Sequence, residues 1–304
     1  MFREIEMDLG THHFCILVLD SFVQALKQYH IQSRQQLFEQ FDEIFQLIQE
    51  VKPRYAILID SFYKIIQQAK GKPVSSIIKH IEAIKKGYEK ELVDLAKVSQ
   101  SIDLTNRTVL IFDHSHSVQN ALIALRKKGQ HFSVLIAEQD LNKTADNISL
   151  FHQYSIPFKV VPAYMLSHLE SSVDAAFFGA VTLQNQGQFV MDPGSKSIIS
   201  EMKLEKKPIY VFLTTSKFSL WQAESSTSDI YVKAHKRCHH VMNEIEFDRI
   251  KFSHDRVPVD LVDHIVTEKG IFDADGVRAE YDRLKAIRDK ERKAYTLFSQ
   301  SHDD

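Results

Sequence analysis

Residues 107–117 read Arg-Thr-Val-Leu-Ile-Phe-Asp-His-Ser-His-Ser. The first half, Thr108–Phe112, is an apolar run of strand length rich in β-branched and aromatic side chains, and the polar stretch Asp113–Ser117 ends it. A helix-capable segment, Val118–Lys128, follows. The succession recurs downstream. Strand-length runs at Phe132–Ala137, Phe158–Val161, Ala175–Val181 and Pro208–Leu213 alternate with helix-capable Lys143–Tyr154, Tyr164–Leu169 and Ser195–Lys206. Parallel neighbours need a crossover between them and are buried on both faces, so their strands read as unbroken apolar runs. A mostly parallel sheet flanked by helices is expected from about residue 101 to the end. Its ligand would sit outside the carboxyl ends of the strands, at Asp113–Ser117, Glu138–Asp140, Pro162–Tyr164, Ala180–Gly187 and Gly194–Lys196.

Upstream the rhythm changes. From Phe14 to about Gln100 apolar residues recur at helical spacing, with one stripe of Leu37, Phe38, Phe41, Ile44, Phe45 and Ile48 and another of Ile77, Ile81, Ile84, Tyr88, Leu92 and Leu95. Ser33 and Gln36 have the form of a capping box, Pro53 closes that helix, and the second helix begins near Ser75 or Ser76. The polar stretch Ser99–Asn106 sets the boundary between a helical unit, 1–100, and the sheet unit, 101–304. The fold class is α/β. Val277–Tyr295, of mixed charge, reads as a solvated closing helix packed along one edge of its own domain.

Composition removes several function classes. With 38 basic and 40 acidic side chains there is no field to attract nucleic acid or an anionic membrane. No apolar stretch approaches the roughly 18 residues of a membrane span. Two cysteines, Cys15 and Cys238, suit a reducing compartment, and a cytoplasmic location is expected. Nine glycines include no phosphate loop or dinucleotide fingerprint, so no cofactor is indicated.

The segments 107–117, His131–Glu138, Ser155–Val161, Val173–Ala180, Gly187, Gly194-Ser195, Pro208–Val211, Asp255–Pro258 and Ile265–Gly270 together resemble, in order and spacing, the alpha/beta/delta subunit family of eukaryotic translation initiation factor 2B. That family also includes the isomerases of methylthioribose 1-phosphate and ribose 1,5-bisphosphate. The resemblance covers residues 33 to 295 and implies a helical domain followed by a Rossmann-like one, with dimers formed through the latter. The isomerases use a cysteine in the first serine-rich turn and an aspartate just after the glycine–alanine pair. Here Ser115 and Val181 stand at those positions. Valine moves no proton, and an unassisted serine hydroxyl is a poor acid or base at neutral pH. Asp140 and Asp60 stand where the family has arginines, and Met191 and Asp192 where it has asparagine and lysine, a set of exchanges that would repel a sugar phosphate.

The residues left for a ligand are His114, Ser115, Ser117, Gly179, Gly187, Gly194, Ser195 and Lys196, the last three opening a helix whose amides point outward. The expected function is a non-catalytic binding or regulatory module with a degenerate sugar-phosphate pocket. Its partners would be a phosphorylated small molecule, a second copy of the chain or another protein. Two other readings stand beside it. One is an isomerase using His114, His116 or Asp174, and the other a protein-docking surface on the helical unit.

Other constellations carry less. His235, Cys238, His239 and His240, with His254 or His264, contain zinc-ligand types at no standard spacing, and His12, His13 and Cys15 form a similar group; solvated histidines are the expectation for both. Asp113, His114 and Ser115 are too close in sequence for a hydrolase triad. Phe218 and Trp221 are expected to pack a sheet edge or a dimer contact rather than form a lid.

Overall fold

A computed structural model of the chain describes residues 2–28, 34–50, 55–69, 72–112, 114–138, 141–220, 236–242, 245–252 and 254–300. Ser33, Pro53, Asp113, Asp140, Trp221 and His235 lie outside them. Four helices come first: α1 (Phe2–Gln28), α2 (Arg34–Glu50), α3 (Ala56–Ala69) and α4 (Val74–Ser99). Helical structure thus begins well before Phe14. The helix containing the second stripe is capped by Pro73 rather than by a serine side chain. Phe14, Leu19, Phe41, Ile57, Phe62, Ile81 and Tyr88 bury one face of each helix in a common core.

The remainder runs β1 (Thr108–Phe112), α5 (His116–Lys127), β2 (Ser133–Glu138), α6 (Leu141–Gln153), β3 (Phe158–Pro162), β4 (Ala175–Gly179), β5 (Thr182–Gln184), β6 (Gln188–Met191), α7 (Ser195–Leu204), β7 (Ile209–Phe212), β8 (Lys236–Met242), β9 (Ile245–Lys251), β10 (Asp255–Pro258), β11 (His264–Thr267), β12 (Gly270–Phe272) and α8 (Ala274–Gln300). The main sheet has the order β12-β11-β7-β4-β1-β2-β3. All pairs in it are parallel except β11 with β12. All five expected strands are in it. Two differences are local. Between β3 and β4 there is no α-helix but two 3-10 turns, Ala163–His168 and Glu170–Ser172, separated by Leu169, whose backbone (φ −124°, ψ −5°) leaves helical geometry and interrupts the run. The run Ala175–Val181 also divides, β4 ending at Gly179 and β5 starting a separate three-stranded sheet, β10-β6-β5.

Continuous apolar strands arise because alternate residues serve two cores. Val109 and Ile111 of β1, with Val134, Ile136, Ala175 and Phe177, face one layer that also takes Leu122 and Leu125 of α5. Leu110 and Phe112, with Leu135, Ala137, Ala176 and Phe178, face the other, closed by Ile198, Ile199 and Met202 of α7. Leu95, near the end of α4, belongs to the first of these layers while Ile81 and Tyr88 belong to the helical core, so one helix spans both units. The closing helix does more than cover an edge. Arg288 of α8 is ion-paired with Asp60 of α3, 228 residues away, and both are buried.

Candidate functional site

Strand order reverses between β1 and β4, and their carboxyl ends open a cleft at that switch point. After β1 the chain turns at His114 and Ser115 into α5, and Ser115 is the N-cap of that helix, its hydroxyl accepting the Val118 amide at 3.5 Å. Gly179, at the end of β4, faces it. A Cβ on Gly179 would lie 2.1 Å from Ser115 Oγ, so the missing side chain lets β4 and the α5 cap touch. The cleft is lined by Phe112, His114, Ser115, His116 and Ser117 from this turn, by Phe178–Val181, by Asp192 and Ser195, and by Lys217 beyond β7. Its volume is about 70 Å³. Ligand pockets commonly run from roughly 300 to 1,000 Å³. Side chains fill most of the space a ligand would need.

The opposite wall comes from the helical unit, where Gly10, Thr11, His12 and His13 of α1 and Leu92 of α4 line the cleft. Gly10 interrupts α1 with φ +70°, and a Cβ there would lie 2.7 Å from His116 Nδ1. The helix breaks where an imidazole is seated. His116 also meets His114 and His13 edge to face, at centroid distances of 4.5 and 4.8 Å. Burial, then the neighbouring His114, His13 and Lys217, push the His116 pKa down to about 3. His12 is held far below its ordinary value by burial and by Lys217, His13 and His116. Its Nε2 lies 3.1 Å from Thr214 Oγ1, and its buried Nδ1 has no hydrogen-bond partner. Lys217 is itself buried, and its ammonium donates to the Ala180 carbonyl at 3.1 Å. The cleft therefore presents two imidazoles whose protonation is disfavoured, His12 and His116, together with hydroxyls, Lys217 and Asp192.

The structure brings five of the sequence-derived ligand residues to this cleft: His114, Ser115, Ser117, Gly179 and Ser195. Gly194, Lys196 and Gly187 are not among its lining residues. Gly194 (φ +98°) packs on Phe112, and the Gly194 and Lys196 amides donate to the Asp255 carboxylate at 3.0 and 2.9 Å. The outward-pointing amides at the start of α7 thus already hold an anion, the protein's own. Gly187 lies in the β5–β6 turn against Val259 and Arg278. Asp174 is at the other end of the sheet, accepting the Thr108 amide at 2.8 Å, so it has no role in the cleft. Asp60 does not line the cleft either. Its charge is met by Arg288 and by Lys64 at 2.6 Å, which removes the repulsion expected of it.

Of the group His235, Cys238, His239 and His240, His235 and the other three side chains lie outside what the structure describes. Cys15 turns into the helical core toward Ser61 Oγ, 3.3 Å away, and burial pushes its thiol up to about 12, while His12 and His13 point to Thr214 and His116. His264 stacks on Tyr210 at the amino end of β11. Among the described residues no three histidine, cysteine or acidic side chains are placed to hold a metal. Phe218 is fully buried and stacked on Tyr281, so it packs the sheet and covers no site. Sequence reading missed Gly10, Thr11 and Lys217. A lone glycine inside an otherwise helical segment was the available signal for the first.

The model of the Initiation factor 2 subunit family matches residues 8–274. Among solved structures, the translation initiation factor eIF-2B of Pyrococcus horikoshii OT3 superposes with a TM-score of 0.71 at 16% identity, over 84% of this chain and 89% of that one. A chain of the tetrameric eIF2B-beta2-delta2 complex from C. thermophilum gives 0.68 at 16% identity, over 92% and 91%. The eIF2B beta subunit from Chaetomium thermophilum gives 0.60 at 17%, over 86% and 81%. At these identities the likeness is one of fold. No curated protein matches the chain significantly. No helix among the described residues is long and apolar enough to cross a membrane.

Proposed function

Since the chain belongs to the Initiation factor 2 subunit family, we propose that it is a non-catalytic binding or regulatory member, with a sugar-phosphate pocket reduced to a vestige. The observation that carries this reading is the pairing of Ser115 and Val181 in one cleft. The resemblance assigns the isomerase cysteine and aspartate to these two positions. Ser115 is engaged as a helix cap with Gly179 pressed against it, and Val181 offers no proton. The rival reading, catalysis by other cleft residues, is poorly served by His116. An imidazole held neutral down to about pH 3 is too weak a base to draw a proton from a sugar carbon at neutral pH.

With the chemistry gone, the function rests on association, through a dimer of the sheet unit or through another protein, in the cytoplasm. A fold shared with a chain from a tetrameric complex supports that reading. The test is incubation of the purified protein with methylthioribose 1-phosphate and with ribose 1,5-bisphosphate, alongside a thermal-shift series with the same compounds. The expected result is no ketose product from either and at most a small shift. Turnover by the wild-type protein that Ser115→Ala abolishes would overturn the proposal.

A further inference from the structure

At the amino end of the main sheet, away from the cleft, a second recess opens. The starts of β7 and β11 and the end of α7 converge there, and Lys203, Lys206, Lys207, Pro208, Asp263 and His264 line a space of about 470 Å³. Ligand pockets commonly run from roughly 300 to 1,000 Å³, so this recess has the size of a ligand where the cleft does not. Its lining holds three lysines against one acid. His264 is stacked on Tyr210 at a centroid distance of 4.4 Å, and with Pro208 it sets an apolar wall beside the ammonium groups.

The one acid is already engaged. Asp263 accepts the Lys203 ammonium at 2.5 Å on one carboxylate oxygen and the Ile209 amide at 2.9 Å on the other, which ties α7 to β7. Lys207 reaches only the Ser171 carbonyl, at 3.4 Å. Among the described residues no carboxylate is paired with Lys206 or Lys207. The nearby acids Glu170 and Glu205 press on Glu201 instead, and none of the three lines the recess. Two positive charges are therefore left over. A helix C-terminus attracts lysines of its own accord, because its last carbonyls lack partners. At α7 the backbone meets them: the Glu205, Lys206 and Lys207 amides donate to the carbonyls of Glu201, Lys203 and Met202 at 3.1, 3.1 and 2.9 Å. That closure puts Lys206 in the left-handed region, φ +55°, where glycine is the favoured residue. A lysine there lowers stability relative to glycine and is not needed to cap the helix.

We propose that this recess is a binding site for a phosphate monoester, with Lys206 and Lys207 holding the phosphate and the body of the ligand lying against Pro208 and His264. Two ammonium groups without a carboxylate match a dianion in charge, and the phosphate oxygens accept from both at once. The Lys203–Asp263 pair is the fixed edge of the site. The phosphate is carried by a small molecule or by a phosphorylated protein side chain, and the lysines read the same group in either. The site is at the opposite end of the sheet from the cleft, so it stands or falls separately from the function proposed above.

The experiment is calorimetric titration of the purified full chain with phenyl phosphate and with a short phosphoserine peptide flanked by alanines, in wild type, Lys206→Gly and Lys207→Gln. The expected result is binding of at least one compound that weakens about tenfold in each variant, the size of one charge-assisted hydrogen bond, and weakens again as salt is raised. Lys206→Gly should at the same time have a higher Tm than wild type, so its lost affinity is not lost fold. Tighter binding of phenyl phosphate identifies a small-molecule site, and tighter binding of the peptide a site for protein-borne phosphate. Unchanged affinity in both lysine variants overturns the proposal, as does no binding of either compound. Binding that Ser115→Ala abolishes and the lysine variants leave intact would place the ligand in the cleft, overturning the recess and the vestigial pocket together.

Discussion

Replacing Asp60 by asparagine tests whether the end of the chain is tied to the helical unit by a buried ion pair. The carboxylate is 5% exposed and the Arg288 guanidinium-bearing residue 9%, so neither is solvated enough for the pair to be a negligible surface bridge. Removing one partner of such a pair leaves the other buried and uncompensated, typically at about 3–5 kcal/mol. Two facts pull the expectation to the lower end. Arg288 keeps Glu291 at 2.9 Å, and the asparagine oxygen can still accept one bond. Lys64 loses an i,i+4 partner as well, adding about 0.3–0.5 kcal/mol. Asp60→Asn should therefore cost about 3 kcal/mol in urea unfolding. Arg288→Met should cost about 2 kcal/mol, since Lys64 still covers the remaining carboxylate. If the pair is a unit, the double variant costs much less than the sum, with a coupling of about 2 kcal/mol or more. A coupling below about 0.5 kcal/mol, with the single variants additive, would refute the claim that these groups answer each other.

Gly179→Ala should lower stability by about 2 kcal/mol or more, because the new methyl group falls within 2.5 Å of both Ser115 Oγ and Cβ; Gly87→Ala, where nothing lies within 4 Å on an exposed helix face, should raise it by about 0.5–1 kcal/mol. Chemical denaturation of the two reads both signs. His116 is neutral when folded and titrates near 6.5 when unfolded, so the unfolded state binds more protons below that pH and stability falls from about pH 6.5 toward 3. His116→Asn should recover roughly 1–2 kcal/mol at pH 5, discounted for its partial exposure, and nothing at pH 8; equal gains at both values would sink the assignment. Asp255→Ala removes the acceptor of the Gly194 and Lys196 amides, which should cost about 1 kcal/mol and open an inorganic-phosphate site at the start of α7, detected as a Tm rise absent from wild type.

What was legible in the sequence is what local pattern encodes. Thr108–Phe112 was read to the residue, because a strand buried on both faces leaves an uninterrupted apolar run. β11 was seen as a motif but not as a strand. Its four residues begin with a histidine, and its neighbour β12 has only three. The mostly parallel character of the sheet followed from alternation, while its strand order is visible only in the structure. The misreadings share one cause. Asp60 was taken as a repelling charge, and Gly194 and Lys196 as donors awaiting an anion. The groups that change those meanings are Arg288, 228 residues from Asp60, and Asp255, 59 and 61 residues from the two amides. No window on the sequence contains such pairs.

Those same pairs bear on why the cleft is small. In a site kept for a ligand, polar groups are left to be satisfied by the ligand, and the fold tolerates their exposure. Here Ser115 caps α5, Lys217 donates to Ala180, Asp255 takes the α7 amides and His116 lies on Gly10. Each group has been answered from within, and each answer ties a strand end to a helix. His12 Nδ1 is the exception in the cleft lining and Glu91 Oε2, on α4, another outside it, and the same hydroxyl, Ser216, reaches toward both side chains. A buried unpaired polar atom costs about 1–3 kcal/mol, a local cost that the surrounding packing offsets. His12 and Glu91, two of the described side chains that keep a buried polar atom without a partner, thus meet at one residue, Ser216, between the helical unit and the sheet.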